Sequence, residues 1–346
     1  MKYLIEIHHG IGDIVQMTGV IDAIITHDES AEISLILNRD EYQGLFVNDS
    51  RVKHFYFLNM QTMSKWALVR LGFRLRSEHF DYLFFSHISS TLYSQILTLV
   101  VNPKHAYAEQ YYFLSKIFSK FVLISKEITH RVRRNLNLVK FLGYNSQIYS
   151  PHIKTNQKFL FSFQTKIGNN FPLKKIVGVC IGDATSSMYK GEKIFPKKWG
   201  TQNFSNLIKK IVADDNIVIL IGNNLEKSIV EGLDSNILSN SLVVDLVGKV
   251  QISELSALTQ CCDCVVGVDT GVVHIADAVG TATVSIFGPT DPKLHGAFSN
   301  KAIFVETDCS CKYCYGTDKY LSCTDRKCLS RITVDMVYAK IKKSLV

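Results

Sequence analysis

The chain has 346 residues, 47% of them hydrophobic, and a formal net charge of +8. That length and apolar content support real cores, enough for two domains of ordinary size, and set aside a small disulfide-stapled module. The positive balance suits an anionic ligand or an anionic membrane surface as well as a merely solvated face; with no continuous basic stripe interleaved with stacking aromatics, nucleic acid is disfavoured.

Tyr3–Ile7 is a short apolar run that reads as a strand, and Glu6 within it interrupts any signal-peptide core, so a cytoplasmic protein is expected. Gly10-Ile11-Gly12-Asp13 follows as a turn entering a helix through Val20, Ile21, Ile24 and Ile25. A carboxylate in the first turn of a helix is comfortable in the dipole, and at the carboxyl end of a first strand it also lies on the ligand side of an open α/β sheet. Further strands are expected at Ile33–Leu37, Val52–Phe57 and Tyr82–Phe85, with a basic, aromatic helical stretch at Lys65–Arg76. The window from Tyr82 to Pro103 lacks charge and is long enough to span a bilayer, but Ser86, His87, Ser89, Ser90, Ser94 and Gln95 interrupt it, so it reads as buried protein. Arg131–Arg134 opens a helix that Gly143 stops.

Residues from about Asn145 to Lys175 are polar and patternless, as a linker would be. The strand and helix alternation then restarts. Ile176–Ile181 reads as a buried strand, followed by the small, hydroxyl-rich loop Gly182–Ser187 and the lysines 190, 193, 197 and 198. A helix at Phe204–Val212, strands at Ile217–Ile221 and Leu242–Leu246, and a helix capped by Ser253 come next. Val265–Gly280 is the most informative stretch: an uncharged, β-branched strand, then Asp269, Thr270 and Gly271 at the start of a helix that carries His274. With Ala282–Phe287 behind it, this is a βαβ unit whose helix N-terminus is suited to a phosphate. Two consecutive α/β domains result, at 1–155 and 156–330, with a terminal helix in 331–346.

Five of the nine cysteines fall between Cys309 and Cys328. Cys311-x2-Cys314 with Cys323-x4-Cys328 has the spacing of a closed four-thiolate site, structural rather than catalytic, for zinc or iron; Cys309 could replace Cys311, and reduced, unliganded thiols are the other reading. Cys180, Cys261, Cys262 and Cys264 lie on or beside apolar elements and read as core.

Taken together, Gly10-Ile11-Gly12-Asp13, Asn48–Val52, Phe80–Leu83, Lys193-Ile194-Phe195-Pro196, Val268-Asp269-Thr270-Gly271-x-x-His274 and Phe287–Pro292 resemble glycosyltransferase family 9, the heptosyltransferase-like enzymes of lipopolysaccharide assembly. The resemblance implies a GT-B fold: two Rossmann-like doubly wound domains facing each other across a cleft, with the acceptor on the first domain, the nucleotide-sugar on the second, and the C-terminal helix packing back on the first. It implies an inverting transfer of a heptose, from ADP-heptose, to a lipopolysaccharide core or related saccharide, with no metal or other cofactor in the chemistry. Asp13 matches the family's general base, with Gly10 and Gly12 shaping its turn. Donor contacts are expected from Thr185, Ser186, Lys193, Glu226, Asp269, Thr270, Gly271 and His274. The loop Asp183–Glu192 is longer than the family's usual phosphate loop, and His8-His9 stands before the glycines where an Arg or a small residue is usual. The thiol cluster resembles that of a branch that heptosylates autotransporter adhesins and binds iron, so transfer to protein serines is the alternative; a non-catalytic sugar-nucleotide scaffold is the other. Peripheral association with the cytoplasmic face of the inner membrane is expected with a lipopolysaccharide acceptor.

Overall fold

The computed structural model describes residues 1–7, 9–59, 64–86, 91–108, 121–123, 129–143, 149–170, 173–182 and 187–346. The chain divides into two compact units, Met1–Ile153 and Lys154–Val346.

The first unit is built on a six-stranded parallel sheet of β1 (Lys2–Ile7), β2 (Glu32–Leu37), β3 (Val52–Phe57), β4 (Tyr82–Phe85), β5 (His105–Ala108) and β6 (Phe121–Leu123). Their spatial order is β3-β2-β1-β4-β5-β6, the doubly wound arrangement in which chain direction along the sheet reverses beside the first strand. Register is fixed by pairs such as Ile5 with Leu35 on one side and Phe84 on the other. Helix α1 (Ile11–His27) follows β1 and is buried along most of its length, through Ile14, Met17, Ile21 and Ile24. Gly19 is required by packing: a Cβ there would lie 2.4 Å from the Tyr149 carbonyl oxygen. Helices α2 (Lys65–Arg76) and α3 (Thr91–Val101) pack on each other, and α4 (Arg131–Leu136) packs on α1. Gly143, with φ at 86°, ends the helical turn after α4, as its position in the sequence suggests.

The second unit begins with a helix where a linker was expected: α5 (Gln157–Asn170) buries Leu160 and Ile167 and packs on α9 (Ile252–Gln260). Its pattern escapes a reading by periodicity because Phe161 and most of its other described side chains face solvent. Strands β7 (Ile176–Cys180), β10 (Ile217–Ile221), β11 (Val243–Asp245), β12 (Cys264–Val268), β13 (Ala282–Ile286) and β14 (Ala302–Val305) form a second parallel sheet in the order β11-β10-β7-β12-β13-β14. This repeats the first sheet's winding, with a hairpin of β8 (Ser187–Tyr189) and β9 (Glu192–Ile194) inserted after the first strand. Lys190 and Gly191 both have positive φ, the backbone of a two-residue hairpin turn. β10 and β12 are buried at every residue, as continuous apolar strands of a covered parallel sheet must be.

Helix α6 (Thr201–Ala213) buries Phe204, Leu207, Ile208 and Ile211. The short helices α7 (Lys227–Glu231) and α8 (Ser235–Leu238) lead to β11. α9 is capped by Gln251 with Glu254 in a reciprocal box, rather than by Ser253. α10 (Gly271–Ala278) links β12 to β13, α11 (Pro292–His295) lies between β13 and β14, and α12 (Asp318–Ser322) and α13 (Lys327–Ser330) follow β14. The final helix, α14 (Val334–Ser344), buries Val337 and Ile341 in the second unit's core and packs on α6 and on β12 to β14. Val337 and Ile341 give this helix its place in the second unit. No helix among the described residues is long and apolar enough to cross a membrane; the uncharged window after Tyr82 is divided between β4 and α3.

Candidate active site

In an open α/β sheet, ligands gather at the carboxyl ends of the strands where the winding reverses. In the first unit that point lies between β1 and β4. Gly10 leaves β1 in extended conformation as the N-cap of α1, Gly12 sits in the first turn, and Asp13 donates its backbone amide to the Gly10 carbonyl at 3.1 Å. The Asp13 carboxylate is ion-paired with Nη1 of Arg131, the first residue of α4, and both side chains are mostly buried. The sequence marked Asp13 but not this arginine, which lies 118 residues away along the chain. Only the packing of α4 on α1 brings the two together.

In the second unit the reversal lies between β7 and β12. Asp269 emerges there from β12 and is the hub of a buried polar cluster. Its Oδ2 accepts from Lys197 Nζ at 2.7 Å and from Thr290 Oγ1 at 3.0 Å, and its Oδ1 lies 3.5 Å from His274 Nε2. Lys197 also donates to the Asp269 carbonyl at 3.3 Å. Burial by itself would raise the pKa of this carboxyl, but the Lys197 charge and the His274 contact overcome it and hold the group far below the usual carboxylate range. Asp269 is therefore an anion that ties the strand exit to three other segments. Thr270 is the N-cap of α10, yet its hydroxyl makes no capping bond, and its buried Oγ1 has no hydrogen-bond partner. With Gly271 opening the helix, its first amides have no side-chain cap, and a helix start of this kind favours an anion.

Of the other donor residues expected, Glu226 stands apart from this cluster. It is buried in the turn after β10, where its Oε2 accepts from the Asn223 amide at 2.7 Å in a reciprocal cap. Its carboxylate also fills the space beside Gly182 and Gly222, so its first role is to join the exits of β7 and β10. Thr185 and Ser186 lie outside the described residues, as does the side chain of Lys193, whose backbone pairs with Met188 in the hairpin. Sequence reasoning singled out Lys193 among four neighbouring lysines; among the described side chains, Lys197 reaches Asp269.

The thiol loop sits on the same end of the sheet. The backbone amides of Tyr313 and Tyr315 donate to the carbonyls of Gly288 and Pro289, at the exit of β13, and Arg326 donates to the Pro196 carbonyl. The loop thus braces two of the three segments, Pro196–Lys197 and Gly288–Thr290, that supply partners to Asp269. Cys309 and Cys311 sulfurs lie 2.8 Å apart, and Cys323 donates to the Asp325 carbonyl at 3.3 Å. Burial, and then the neighbouring thiols, push Cys328 up to about 11. Among the described residues no group of three or more His, Cys, Asp or Glu is arranged to hold a metal ion. The closed cage expected from Cys311, Cys314, Cys323 and Cys328 is therefore not formed: Cys311 is engaged with Cys309, and Cys323 with a backbone carbonyl. The donor set alone suits zinc or iron; its arrangement does not. Cys180, Cys262 and Cys264 are buried, as expected, and Cys261 is partly so.

Comparison with known proteins decides what this arrangement belongs to. The family model described as glycosyltransferase family 9 (heptosyltransferase) matches residues 68–324, most of the chain. The chain belongs to glycosyltransferase family 9. It is accordingly a glycosyltransferase. Lipooligosaccharide heptosyltransferase 2 of Campylobacter jejuni is 24% identical over 353 residues, covering 99% of each chain. Among solved structures, a family 9 glycosyltransferase of Veillonella parvula superposes with a TM-score of 0.82 at 16% identity, covering 99% of this chain and 97% of that one. The ADP-heptose lipopolysaccharide heptosyltransferase II of E. coli gives 0.77 at 18%, covering 100% and 98%. These structures share the GT-B fold with the present chain. A more distant likeness, with a TM-score of 0.55 at 12% identity, is to the iron-containing dodecameric glycosyltransferase TibC of enterotoxigenic E. coli, covering 99% of this chain and 75% of that one.

Proposed function

We propose that this glycosyltransferase moves a heptose from ADP-heptose onto a lipopolysaccharide core or a related saccharide, with inversion at the anomeric carbon and no divalent metal in the chemistry. The observation that carries the reading is that the chain holds both a carboxylate at the first sheet's reversal point and a fixed helix N-terminus without a side-chain cap at the second's. The sugar and the class of acceptor are taken from the heptosyltransferases that the chain resembles, which support the reading.

Asp13 takes the proton of the acceptor hydroxyl as that oxygen attacks the anomeric carbon. Arg131 holds one carboxylate oxygen and so orients the other. As the bond from the anomeric carbon to the diphosphate oxygen breaks, ADP leaves with the bonding electrons. The developing charge is met by the amides at the start of α10, the Thr270 hydroxyl and Lys193. Asp269, with Lys197, His274 and Thr290, fixes the position of that helix start. Acceptor binding belongs to the first unit and donor binding to the second, with the protein working at the cytoplasmic face of the inner membrane.

The test is calorimetric titration of ADP, UDP, GDP and CMP into the wild type and the Lys193→Ala and Asp13→Asn variants, with turnover measured in parallel. Selective ADP binding that weakens in Lys193→Ala, with turnover abolished but binding kept in Asp13→Asn, is expected. Full turnover by Asp13→Asn would remove that residue from the mechanism, and selective binding of another nucleotide would change the donor.

The sequence of the thiol loop favours a second reading, transfer of heptose to serines of a surface adhesin. Heptose-sized mass increments on a co-expressed adhesin would support it; unmodified adhesin would exclude it.

A further inference from the structure

Helix α2 is apolar on two opposite sides. One side is accounted for: Leu68 and Leu75 are buried in the first unit's core, and Gly72 lies so close to α3 that a Cβ would fall 2.7 Å from Val100 Cγ1. At 100° per residue, Trp66, Arg70 and Phe73 line the opposite stripe. Trp66 is 83% exposed and Phe73 59% exposed, where a surface helix ordinarily carries polar residues. The charges of the same helix are of one sign: Arg70, Arg74 and Arg76 are exposed, and Lys65–Arg76 contains no acidic residue. Beside it, α3 exposes Leu92 at 54% and Leu99 at 40%.

We propose that the outward face of α2 docks the protein on an anionic lipid bilayer, with Trp66 and Phe73 entering the headgroup region and the arginines meeting lipid phosphates. A helix of this length is about 18 Å long and, lying flat, can set both aromatic rings into the interface at once. Arginine stems cover apolar surface while the guanidinium stays among the headgroups, so the two residue types are compatible on one stripe. A second copy of the chain is a poorer occupant. A two-fold contact through this face would set arginines against arginines with no carboxylate on the helix to relieve them. This docking rests on the placement at the inner membrane proposed above but not on which sugar the enzyme transfers, since neither aromatic ring belongs to the site described.

The test uses the full chain and vesicles of phosphatidylglycerol with phosphatidylcholine, against phosphatidylcholine alone. Wild-type protein sediments with the anionic vesicles, and less so as salt is raised. Tryptophan emission shifts to the blue on binding; Trp199, the other tryptophan, is already buried and bonded to the Ile332 carbonyl, so the shift reports Trp66. The Trp66→Ser/Phe73→Ser variant loses most of the binding, and Arg70→Ser/Arg76→Ser weakens it about fivefold for each charge removed. These residues are exposed, so unchanged circular dichroism and ADP affinity accompany the loss. Absence of binding, or binding unaltered in both variants, overturns the proposal. So does a wild-type dimer, indifferent to vesicles, that dissociates in Trp66→Ser/Phe73→Ser, which would give the face to a second copy.

Discussion

Asp269 concentrates more of the site's organisation than any other residue. Lys197 and the carboxylate are each nearly buried, so their attraction is weakly screened, and losing one leaves the other uncompensated. Asp269→Asn should therefore cost about 3–5 kcal/mol of stability, read from urea midpoints. The pH dependence follows from the sign of the shift. Because the folded carboxyl titrates far below its ordinary value, the stabilisation is complete above the unfolded pKa, about 3.9, and is lost as pH falls through the folded value. The gap between wild type and Asp269→Asn should stay level from neutral pH down to about 5 and close only below about 4. A gap that narrows between neutral pH and 5 would mean that Asp269 is not the buried anion described. At this scale the sequence was half legible. Asp269 and His274 stand in one short motif, but Lys197 reaches Asp269 across 72 residues, and nothing local distinguishes it from the lysines around it.

Elements were legible where burial is two-sided. The runs of β10 and β12 are apolar because both faces are covered, and that composition survives without context. β14, at the sheet edge, is only half-buried, and α5 needs only two buried residues a double turn apart, so neither leaves a firm pattern. The link between elements that matters most is also invisible locally. A Cβ on Gly182, after β7, would lie 1.6 Å from the Glu226 carboxylate that caps the turn after β10. Gly182→Ala should then expel Glu226 and cost about 1–3 kcal/mol, as overpacking does. Removing the obstructing side chain as well, in Gly182→Ala/Glu226→Ala, should cost less than the two single changes added together. Strict additivity of denaturant midpoints would show that the glycine is needed for something other than this contact.

Across the whole molecule, the proposed function gives two sheets wound alike different work, and the two tryptophans allow that division to be tested. Trp66 in the first unit is already exposed, so its emission changes little on unfolding, whereas Trp199 is buried in the second unit's core. Fluorescence melting thus follows the second unit, and far-ultraviolet circular dichroism follows both. If the nucleotide binds the second unit, ADP at a hundred times its dissociation constant adds about 2.7 kcal/mol to that unit's stability. For a domain of this size the fluorescence midpoint should rise by roughly 5–10 °C. Thr270→Val, which deletes the hydroxyl left without a partner at the start of α10, should shrink that rise without changing the melt in the absence of ADP, because no hydrogen bond within the protein is lost. A fluorescence transition indifferent to ADP, beside a dichroism transition that moves, would place the nucleotide in the first unit and reverse the assignment of donor and acceptor.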